Sequence, residues 1–230
     1  GSGGEYSGET KKYEFGDLLE IDLHGTMKNA VVRQGPQLPI KLEVQDFEIK
    51  RTEHTSQAAT VLLLDQSRSM GMFGNFIAAK KVAVALQALI QTRYPRDKLF
   101  MIGFSGYAME LKPVDLPYAT WNDWVSGTNM HHAFLIARKL LAREHSTNKQ
   151  ILMVTDGEPT AHLEGGYSYF SYPPSYDTIE HTLNEVKRCT QAGITINTFM
   201  LETNSYLLAF VDKMTRLNNG RAFYSAPNQL

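Results

Sequence analysis

The chain has little of what several protein classes require. It contains one cysteine, Cys189, so no disulfide can form within it. No apolar run in the sequence reaches the roughly 18 residues that a membrane-spanning helix needs. The net charge is −1 and no basic run occurs, which leaves no electrostatic case for binding nucleic acid or an anionic membrane. Neither a phosphate-binding loop of the Walker type nor a Gly-x-Gly-x-x-Gly fingerprint is present, so no nucleotide site is predicted.

The length and composition predict one main domain with an N-terminal extension. With 43% apolar residues, the 230-residue chain can bury a substantial core. We predict a disordered linker or expression scar over residues 1–12, which are polar and begin Gly-Ser-Gly-Gly. Residues 13–57 form the predicted extension and residues 58–230 the main domain. We expect Cys189 to be a buried structural thiol, which is consistent with the cytoplasm, where we expect the protein to reside.

Short apolar runs alternate with longer amphipathic segments along the main domain. Parallel strands are predicted at residues 59–65, 99–105, 150–155, 194–201 and 221–224, and helices at residues 75–93, 130–143, 177–192 and 205–217. This alternation predicts an α/β fold, a doubly wound and mainly parallel sheet with helices on both faces. Residues 107–112 are predicted to form an antiparallel edge strand.

Two further expectations concern packing. The helix predicted over residues 75–93 is apolar on more than half of its surface, which predicts that it is well buried. In the extension, apolar residues alternate with polar ones over residues 40–52 with one break in phase, which predicts a bulged strand. We expect this strand to extend the main sheet as an antiparallel edge, and we expect a short helix over residues 26–33.

Asp65, Ser67 and Ser69 place oxygen-bearing side chains at alternate positions directly after the apolar run 61–64. One carboxylate and two hydroxyls suit a hard cation such as Mg²⁺ or Mn²⁺ and suit soft metals poorly. In an extended chain, residues two apart are separated by about 6.6 Å, whereas oxygen ligands of one Mg²⁺ lie about 3–4 Å from each other. The loop must therefore curl if these groups bind one ion. Ser and Asp also cap helices routinely, so this pattern alone does not distinguish the two roles.

Two later segments favour the metal site. Thr128 lies just before the helix predicted over residues 130–143 and offers a third hydroxyl. Asp156 follows a second apolar strand and precedes Gly157, which allows the chain to turn away. Ligands of open α/β sheets bind at the carboxyl ends of the strands, where these groups should meet.

The order of these groups resembles the von Willebrand factor A-type (VWA) domain family. Its metal-ion-dependent adhesion site combines Asp-x-Ser-x-Ser, a lone Thr, and an Asp followed by Gly. The matching positions in this chain are Asp65, Ser67, Ser69, Thr128 and Asp156. The resemblance spans residues 58–224, with Arg68 where many members carry Gly. It implies a Rossmann-like fold and a bound Mg²⁺ (or Mn²⁺ or Ca²⁺), coordinated directly by the three hydroxyls and directly or through water by the two carboxylates.

The resemblance also implies a function without catalysis. In the family, the last coordination position is left for water or for an Asp or Glu of a partner protein. Residues 156–160 and 193–199 look closest to bacterial members that are often paired with AAA+ ATPases. The implied function is a metal-dependent protein–protein interaction, with an AAA+ ATPase or a protein that it remodels as the implied partner.

Residues 160–176 form an aromatic segment directly after the predicted site. It contains Tyr167, Tyr169, Phe170, Tyr172 and Tyr176. Loops at the carboxyl ends of the strands surround the site, so the segment should lie at its rim, where aromatic side chains are typical of protein-recognition surfaces. The alternative is an ordinary packed insertion whose tyrosines cover the end of the sheet.

Other functions of the same site stay open at this point. A metal-dependent hydrolase would need a general base, for which Glu158, His131, His132 and His162 are candidates. His131, His132 and His162 could instead bind a transition metal, although the rings of adjacent residues diverge on a helix. A third alternative is an ion that serves structure only.

Overall fold

The computed structural model describes residues 5–12, 22–35, 40–53, 57–121 and 126–224. The chain divides into two compact units, Gly1–Ser56 and Gln57–Leu230, which are described separately. Parts of all three predicted segments lie outside the described ranges, namely residues 1–4 of the linker, 13–21, 36–39 and 54–56 of the extension, and 122–125 and 225–230 of the main domain.

The first unit contains two strands and one helix. Strand β1 (Glu5–Lys12) pairs antiparallel with β2 (Glu48–Glu53), and helix α1 (Leu23–Gln34) lies between them in sequence. The prediction of a disordered linker is therefore wrong for residues 5–12, because backbone pairing with β2 orders a stretch that looks polar. The strand predicted over residues 40–52 begins only at Glu48, and it pairs with β1 in a two-stranded sheet instead of extending the main sheet.

A bidentate ion pair stabilises the first unit. Arg33 of α1 donates from Nε to Oδ1 of Asp46 over 2.8 Å and from Nη2 to Oδ2 over 2.7 Å. Asp46 is buried and lies in a 3-10 turn, Val44–Asp46, just before β2. The pair thus ties the helix to the segment that leads into the second strand.

The second unit contains a mixed six-stranded sheet and a separate hairpin. Its strands are β3 (Ala58–Asp65), β4 (Lys98–Phe104), β5 (Ala108–Leu111), β6 (Asn148–Thr155), β7 (Ala161–Glu164), β8 (Tyr167–Phe170), β9 (Ile194–Met200) and β10 (Ala222–Tyr224). The sheet has the order β10-β9-β6-β3-β4-β5, and β7 and β8 form the hairpin. All neighbours in the sheet are parallel except the edge strand β5, which is antiparallel as predicted.

Helices cover both faces of the sheet, which confirms the predicted α/β architecture. They are α2 (Arg68–Met72), α3 (Asn75–Arg93), α4 (Met130–Ala142), α5 (Tyr176–Gln191) and α6 (Ser205–Asn218). Strand β3 is buried along its whole length, and alternate residues serve opposite faces. Val61 and Leu63 belong to the core with α4, α5 and α6, whereas Leu62 and Leu64 belong to the core with α2 and α3.

The prediction that the helix over residues 75–93 is well buried is wrong. Only Phe76, Ala79 and Ala83 of α3 are buried. Ile77 is 61% exposed and Leu89 is 48% exposed. The helix contacts the sheet through a narrow stripe of mainly small residues, so its remaining apolar side chains stay at the surface. No helix in the described part of the chain is both long and apolar enough to cross a membrane.

Candidate metal centre

The candidate metal centre lies where β3 and β6 end. These strands are parallel neighbours, and Leu64 pairs with Val154 across them. Asp65 is the last residue of β3, and Asp156 directly follows the last residue of β6. Parallel pairing therefore brings two carboxylates that are 91 positions apart in sequence to the same edge of the sheet.

The loop after β3 curls as expected for a metal-binding loop. The backbone N–H of Ser67 donates to Oδ1 of Asp65 over 2.8 Å. The hydroxyl oxygens of Ser67 and Ser69 are 3.2 Å apart, about half the spacing that an extended chain would give. Ser67 precedes α2 at the N-cap position, but its side chain makes no capping hydrogen bond. Helix capping therefore does not account for this hydroxyl.

Asp156 closes the cluster from the β6 side. Its Oδ1 accepts a 2.8 Å hydrogen bond from the Ser69 hydroxyl, and its Oδ2 accepts a 3.3 Å bond from Nδ2 of Asn75. The oxygens of Ser67, Ser69 and Asp156 thus follow one another at 3.2 and 2.8 Å. These separations are close to those between neighbouring oxygen ligands of a small divalent ion.

Thr128 is held beside this cluster by the segment that follows Asp156. The backbone N–H of Thr128 donates to the Thr160 hydroxyl over 2.9 Å, and the backbone N–H of Thr160 donates to the Thr128 carbonyl over 3.1 Å. Both threonines line the same cavity as Ser67, Ser69 and Asp156. The structure therefore places four of the five predicted residues at one cavity, with Asp65 buried behind the loop.

The two aspartates are buried without a cationic partner. Asp65 is fully buried, and its pKa is raised to about 7 by burial first and then by the charge of Asp156. Burial also raises the pKa of Asp156, and the charge of Glu202 adds to this, while hydrogen bonds from Ser69 and Asn75 oppose it. In the described chain neither aspartate forms an ion pair, so the cluster is short of positive charge. A divalent cation would supply that charge.

The cluster opens into a cavity of about 880 Å³. Its other polar lining includes Arg68, Glu158 and Glu202, and its aromatic lining consists of Phe73, Phe170, Tyr172 and Tyr206. The donor set of hydroxyls and carboxylates fits a hard cation, and no thiol or imidazole lines the cavity among the described residues.

Several residues of the site escaped the sequence analysis. Thr155 donates from its hydroxyl to Oδ2 of Asp65 over 2.6 Å, and Asn75 donates to both Asp156 and Glu202. Thr160 positions Thr128. Only their position in the sequence could have indicated these residues. Thr155 directly precedes Asp156, and Asn75 is the first residue of α3, which follows the curled loop and α2. Glu202 follows β9, a third strand that ends at the same edge.

The three candidate histidines, His131, His132 and His162, do not form a metal site. Nδ1 of His131 accepts from the Leu163 backbone, and Nδ1 of His132 accepts from the Ala108 backbone. Nδ1 of His162 is 2.9 Å from the Thr178 hydroxyl. Among the described residues, no group of three or more His, Cys, Asp or Glu side chains has an arrangement that could hold a metal ion. The transition-metal hypothesis is therefore wrong, and of the four candidate bases only Glu158 lines the cavity.

The rings of His131, His162 and His181 instead pack together, and we call these three residues the imidazole stack. The centroids of His162 and His181 are 4.6 Å apart at an interplanar angle of 9°, and those of His131 and His181 are 5.4 Å apart. The stack joins hairpin strand β7 to helices α4 and α5. His181 was not expected there, because its helix register alone does not reveal which side chains lie opposite.

The aromatic segment 160–176 is a hairpin followed by a short loop, and part of it lies at the cavity. Phe170 and Tyr172 line the cavity, as predicted for a rim. Tyr167 and Tyr176 are exposed, and Tyr169 packs against His162 with a centroid distance of 5.7 Å. The segment therefore combines cavity lining with ordinary packing.

The mainly parallel sheet with helices on both faces, together with a family-model match over residues 58–230, makes the second unit a VWA-type domain. More narrowly, residues 58–230 match the family described as "Rv0959-like protein, vWA domain", and the chain belongs to that family. Residues 5–52 match the family described as "Rv0959-like protein, third domain".

A relative and two solved structures illustrate the similarity. Uncharacterized protein Rv0959 of Mycobacterium tuberculosis is 36% identical over 228 residues, which cover 96% of this chain but 34% of that protein. The chain thus spans about a third of the length of the curated relatives that it matches.

Among solved structures, the vWF domain of the type V pili tip protein Mfa5 from Porphyromonas gingivalis superposes with a TM-score of 0.57 at 16% identity, covering 76% of this chain and 92% of that one. Proximal thread matrix protein 1 from the mussel byssus, with a zinc-occupied MIDAS motif, superposes with a TM-score of 0.53 at 15% identity, covering 76% and 43%. At these identities the likeness shows the fold.

Proposed function

We propose that this domain binds a protein partner through a divalent cation held at the candidate metal centre. The observation that carries the proposal is the run of oxygens from Ser67, Ser69 and Asp156, spaced at 3.2 and 2.8 Å at the end of an open cavity. Behind this run lies a second buried aspartate, and no cationic side chain of the described chain pairs with either carboxylate. Such an arrangement favours a dication.

Each side chain has a distinct role in this proposal. The hydroxyls of Ser67, Ser69 and Thr128 would be neutral ligands, and Asp156 would supply negative charge at the cavity surface. Both carboxylate oxygens of Asp65 already accept hydrogen bonds, from the Ser67 backbone and the Thr155 hydroxyl. Asp65 would therefore act through water and by holding the loop in its curled form. The bound cation would offer an electrophilic position to an Asp or Glu of the partner.

Mg²⁺ is the cation we propose, with Mn²⁺ and Ca²⁺ as alternatives. Hydroxyl and carboxylate oxygens suit all three ions. The zinc-occupied MIDAS motif of the mussel protein supports metal binding in this fold, although not the choice of Mg²⁺.

We propose an AAA+ ATPase, or a protein that such an ATPase remodels, as the partner. The support is the resemblance of residues 156–160 and 193–199 to bacterial domains that are paired with these ATPases. The curated relatives are about three times as long as this chain, so other parts of the whole protein could also contact the partner. The buried thiol Cys189, whose pKa burial raises to about 12, is compatible with the cytoplasm that we propose as its location.

Partner capture with and without metal tests the proposal. The tagged chain would be incubated with lysate in Mg²⁺ or in EDTA, and the bound proteins would be identified by mass spectrometry. We expect a partner that is retained in Mg²⁺ by the wild type and by Thr92→Ala, a control on the exposed side of α3, and that is lost in EDTA and with Thr128→Ala. Changing the responsible acidic residue of the partner to its amide should abolish capture. Equal capture in all conditions would refute the proposal.

Two rival functions predict different outcomes. A metal-dependent hydrolase would turn over a phosphate or carboxylate ester, and Asp65→Ala would abolish that turnover. A purely structural ion would leave partner capture unchanged in EDTA while stability falls. The same protein preparations answer both questions.

A further inference from the structure

Glu158 places a carboxylate at the cavity wall that has no partner in the described part of the chain. It is only 8% exposed and lines the cavity two residues beyond Asp156. Within the described part of the chain, its carboxylate makes no hydrogen bond or ion pair. A carboxylate that lines a cavity and has no partner within the chain can pair with a cation that a bound molecule brings.

The surroundings of Glu158 suit the side chain of a lysine or an arginine. Glu158 and Tyr206 line both the main cavity and an adjoining one of about 200 Å³, which Pro173, Pro174 and Ile179 also line. These apolar walls can pack against the aliphatic stem of a basic side chain. Tyr206 is 67% exposed and can offer its ring face to the cationic end.

The charges around the cavity favour a partner that brings a cation as well as an acid. Glu158 and Glu202 line the cavity in addition to Asp156, whereas Arg68 is the only lysine or arginine among its described lining residues. Lys213 lines the smaller cavity, and neither Arg68 nor Lys213 pairs with Glu158. A partner that offered only carboxylates would therefore meet repulsion beside the ion.

We infer that Glu158 and Tyr206 form a subsite for a Lys or Arg of the same partner segment whose Asp or Glu completes the metal. The inference rests on the proposed function, because it places the basic residue relative to the metal-bound acid. Asp156 and Glu158 are two residues apart, which an extended chain spans in about 7 Å. The basic residue of the partner should therefore lie within about three positions of its acidic residue.

A peptide display library tests the inference without knowledge of the natural partner. The library would carry a fixed central Asp flanked by four random positions on each side, and selection would use the full chain in Mg²⁺ and in EDTA. For the wild type we expect Mg²⁺-dependent enrichment with Lys or Arg over-represented at one position within three residues of the Asp. A selected peptide resynthesised with Gln in place of its basic residue should bind about tenfold more weakly, as expected for the loss of a charge-assisted hydrogen bond.

The variant Glu158→Gln separates this subsite from the metal centre, and Glu110→Gln on the edge strand β5 is the matched control. With Glu158→Gln, we expect the basic preference to disappear while the affinity for Mg²⁺ alone, measured by calorimetry, stays within about twofold. Three results would overturn this inference while leaving the proposed function in place. They are selection of acidic peptides without a preference for Lys or Arg by the wild type, the same preference for Lys or Arg in Glu158→Gln, and loss of Mg²⁺ binding in Glu158→Gln. No Mg²⁺-dependent enrichment of any peptide would overturn the proposed function as well.

Discussion

The candidate metal centre and the imidazole stack are both clusters of buried titratable side chains in the second unit. They differ in which groups offset the cost of burying these side chains. At the candidate metal centre, burial raises the pKa values of Asp65 and Asp156. At the imidazole stack, burial lowers the pKa values of His131 and His162. In both places the protein disfavours the charged form, because removing an ion from water is costly.

The imidazole stack is closed within the protein, whereas the carboxylate cluster opens outward. The rings stack on one another, and backbone or hydroxyl groups occupy Nδ1 of His131 and His162. Asp156 lines a large cavity with Asp65 buried behind it, and the two carboxylates have hydroxyl and amide neighbours but no cation in the described chain. The imidazole stack is thus complete as a packing element, whereas the carboxylate cluster is arranged to bind a group from outside the chain.

The largest expected effect is the stabilisation by Mg²⁺. At about 100 times its dissociation constant, a ligand that binds only the folded state adds about 2.7 kcal/mol. For a domain of this size that corresponds to a rise in Tm of about 5–10 °C. Thermal unfolding with Mg²⁺ or EDTA measures it. Asp156→Asn should lose the rise, and Asp212→Asn on the exposed face of α6 should keep it. A full rise in Asp156→Asn would mean that the carboxylate cluster is not open to a cation.

A smaller effect should follow when the charge of Asp65 is removed in EDTA. Asp65→Asn keeps an acceptor for the Ser67 backbone and an amide that can bond the Thr155 hydroxyl, so the loop should stay folded. Because a buried charge beside Asp156 disappears, we expect the metal-free variant to gain about 1–2 kcal/mol at pH 8 in urea unfolding. The same variant should no longer respond to Mg²⁺. If metal-free Asp65→Asn is less stable than the metal-free wild type, then the charge of Asp65 is already offset within the protein, and the prediction is wrong.

The imidazole stack should show its effect in acid. The folded pKa of His131, about 4, lies below its usual value of 6.5, with burial as the main cause and the neighbouring His181 and His162 adding to it against the charge of Glu185. The unfolded chain therefore binds more protons between these values. The contribution of His131 is complete above about pH 6.5 and is lost as the pH falls towards 4.

His131→Gln tests this contribution, since its amide oxygen can still accept from the Leu163 backbone. Between pH 7 and pH 4.5 in EDTA, we expect the variant to lose about 1 kcal/mol less stability than the wild type. His145→Gln, at an exposed position, should lose as much as the wild type. If stability falls equally with pH in the wild type and in both variants, then protonation of His131 does not destabilise the stack.

Much of this fold and site could be predicted because the relevant signals are local. Apolar runs such as 61–64 mark buried strands, and the oxygen-bearing residues after them lie at strand ends that parallel pairing brings together. Contacts that depend on what lies opposite could not be predicted. His181 joins the stack, and Asn75 reaches Asp156, only because of packing between elements. The pairing of residues 5–12 uses backbone hydrogen bonds, which side-chain patterns do not encode.

The smallest expected effects concern the helix caps beside the two clusters. Asn204 caps α6 at the cavity by accepting from the Leu207 backbone over 2.8 Å, and Ser175 caps α5, which carries His181, by accepting from the Thr178 backbone over 3.2 Å. Loss of either side chain should cost about 1 kcal/mol, or about 2–4 °C in Tm.

Asn204→Ala and Ser175→Ala compared in Mg²⁺ and in EDTA sharpen the difference between the clusters. Because α6 begins at the cavity and α5 does not, a partner peptide selected in Mg²⁺ should bind Asn204→Ala more weakly, by about two- to fivefold for up to about 1 kcal/mol. Ser175→Ala should bind it as the wild type does. Equal weakening in both variants would indicate that the hairpin side, with its imidazole stack, moves together with the metal centre and is not an independent packing element.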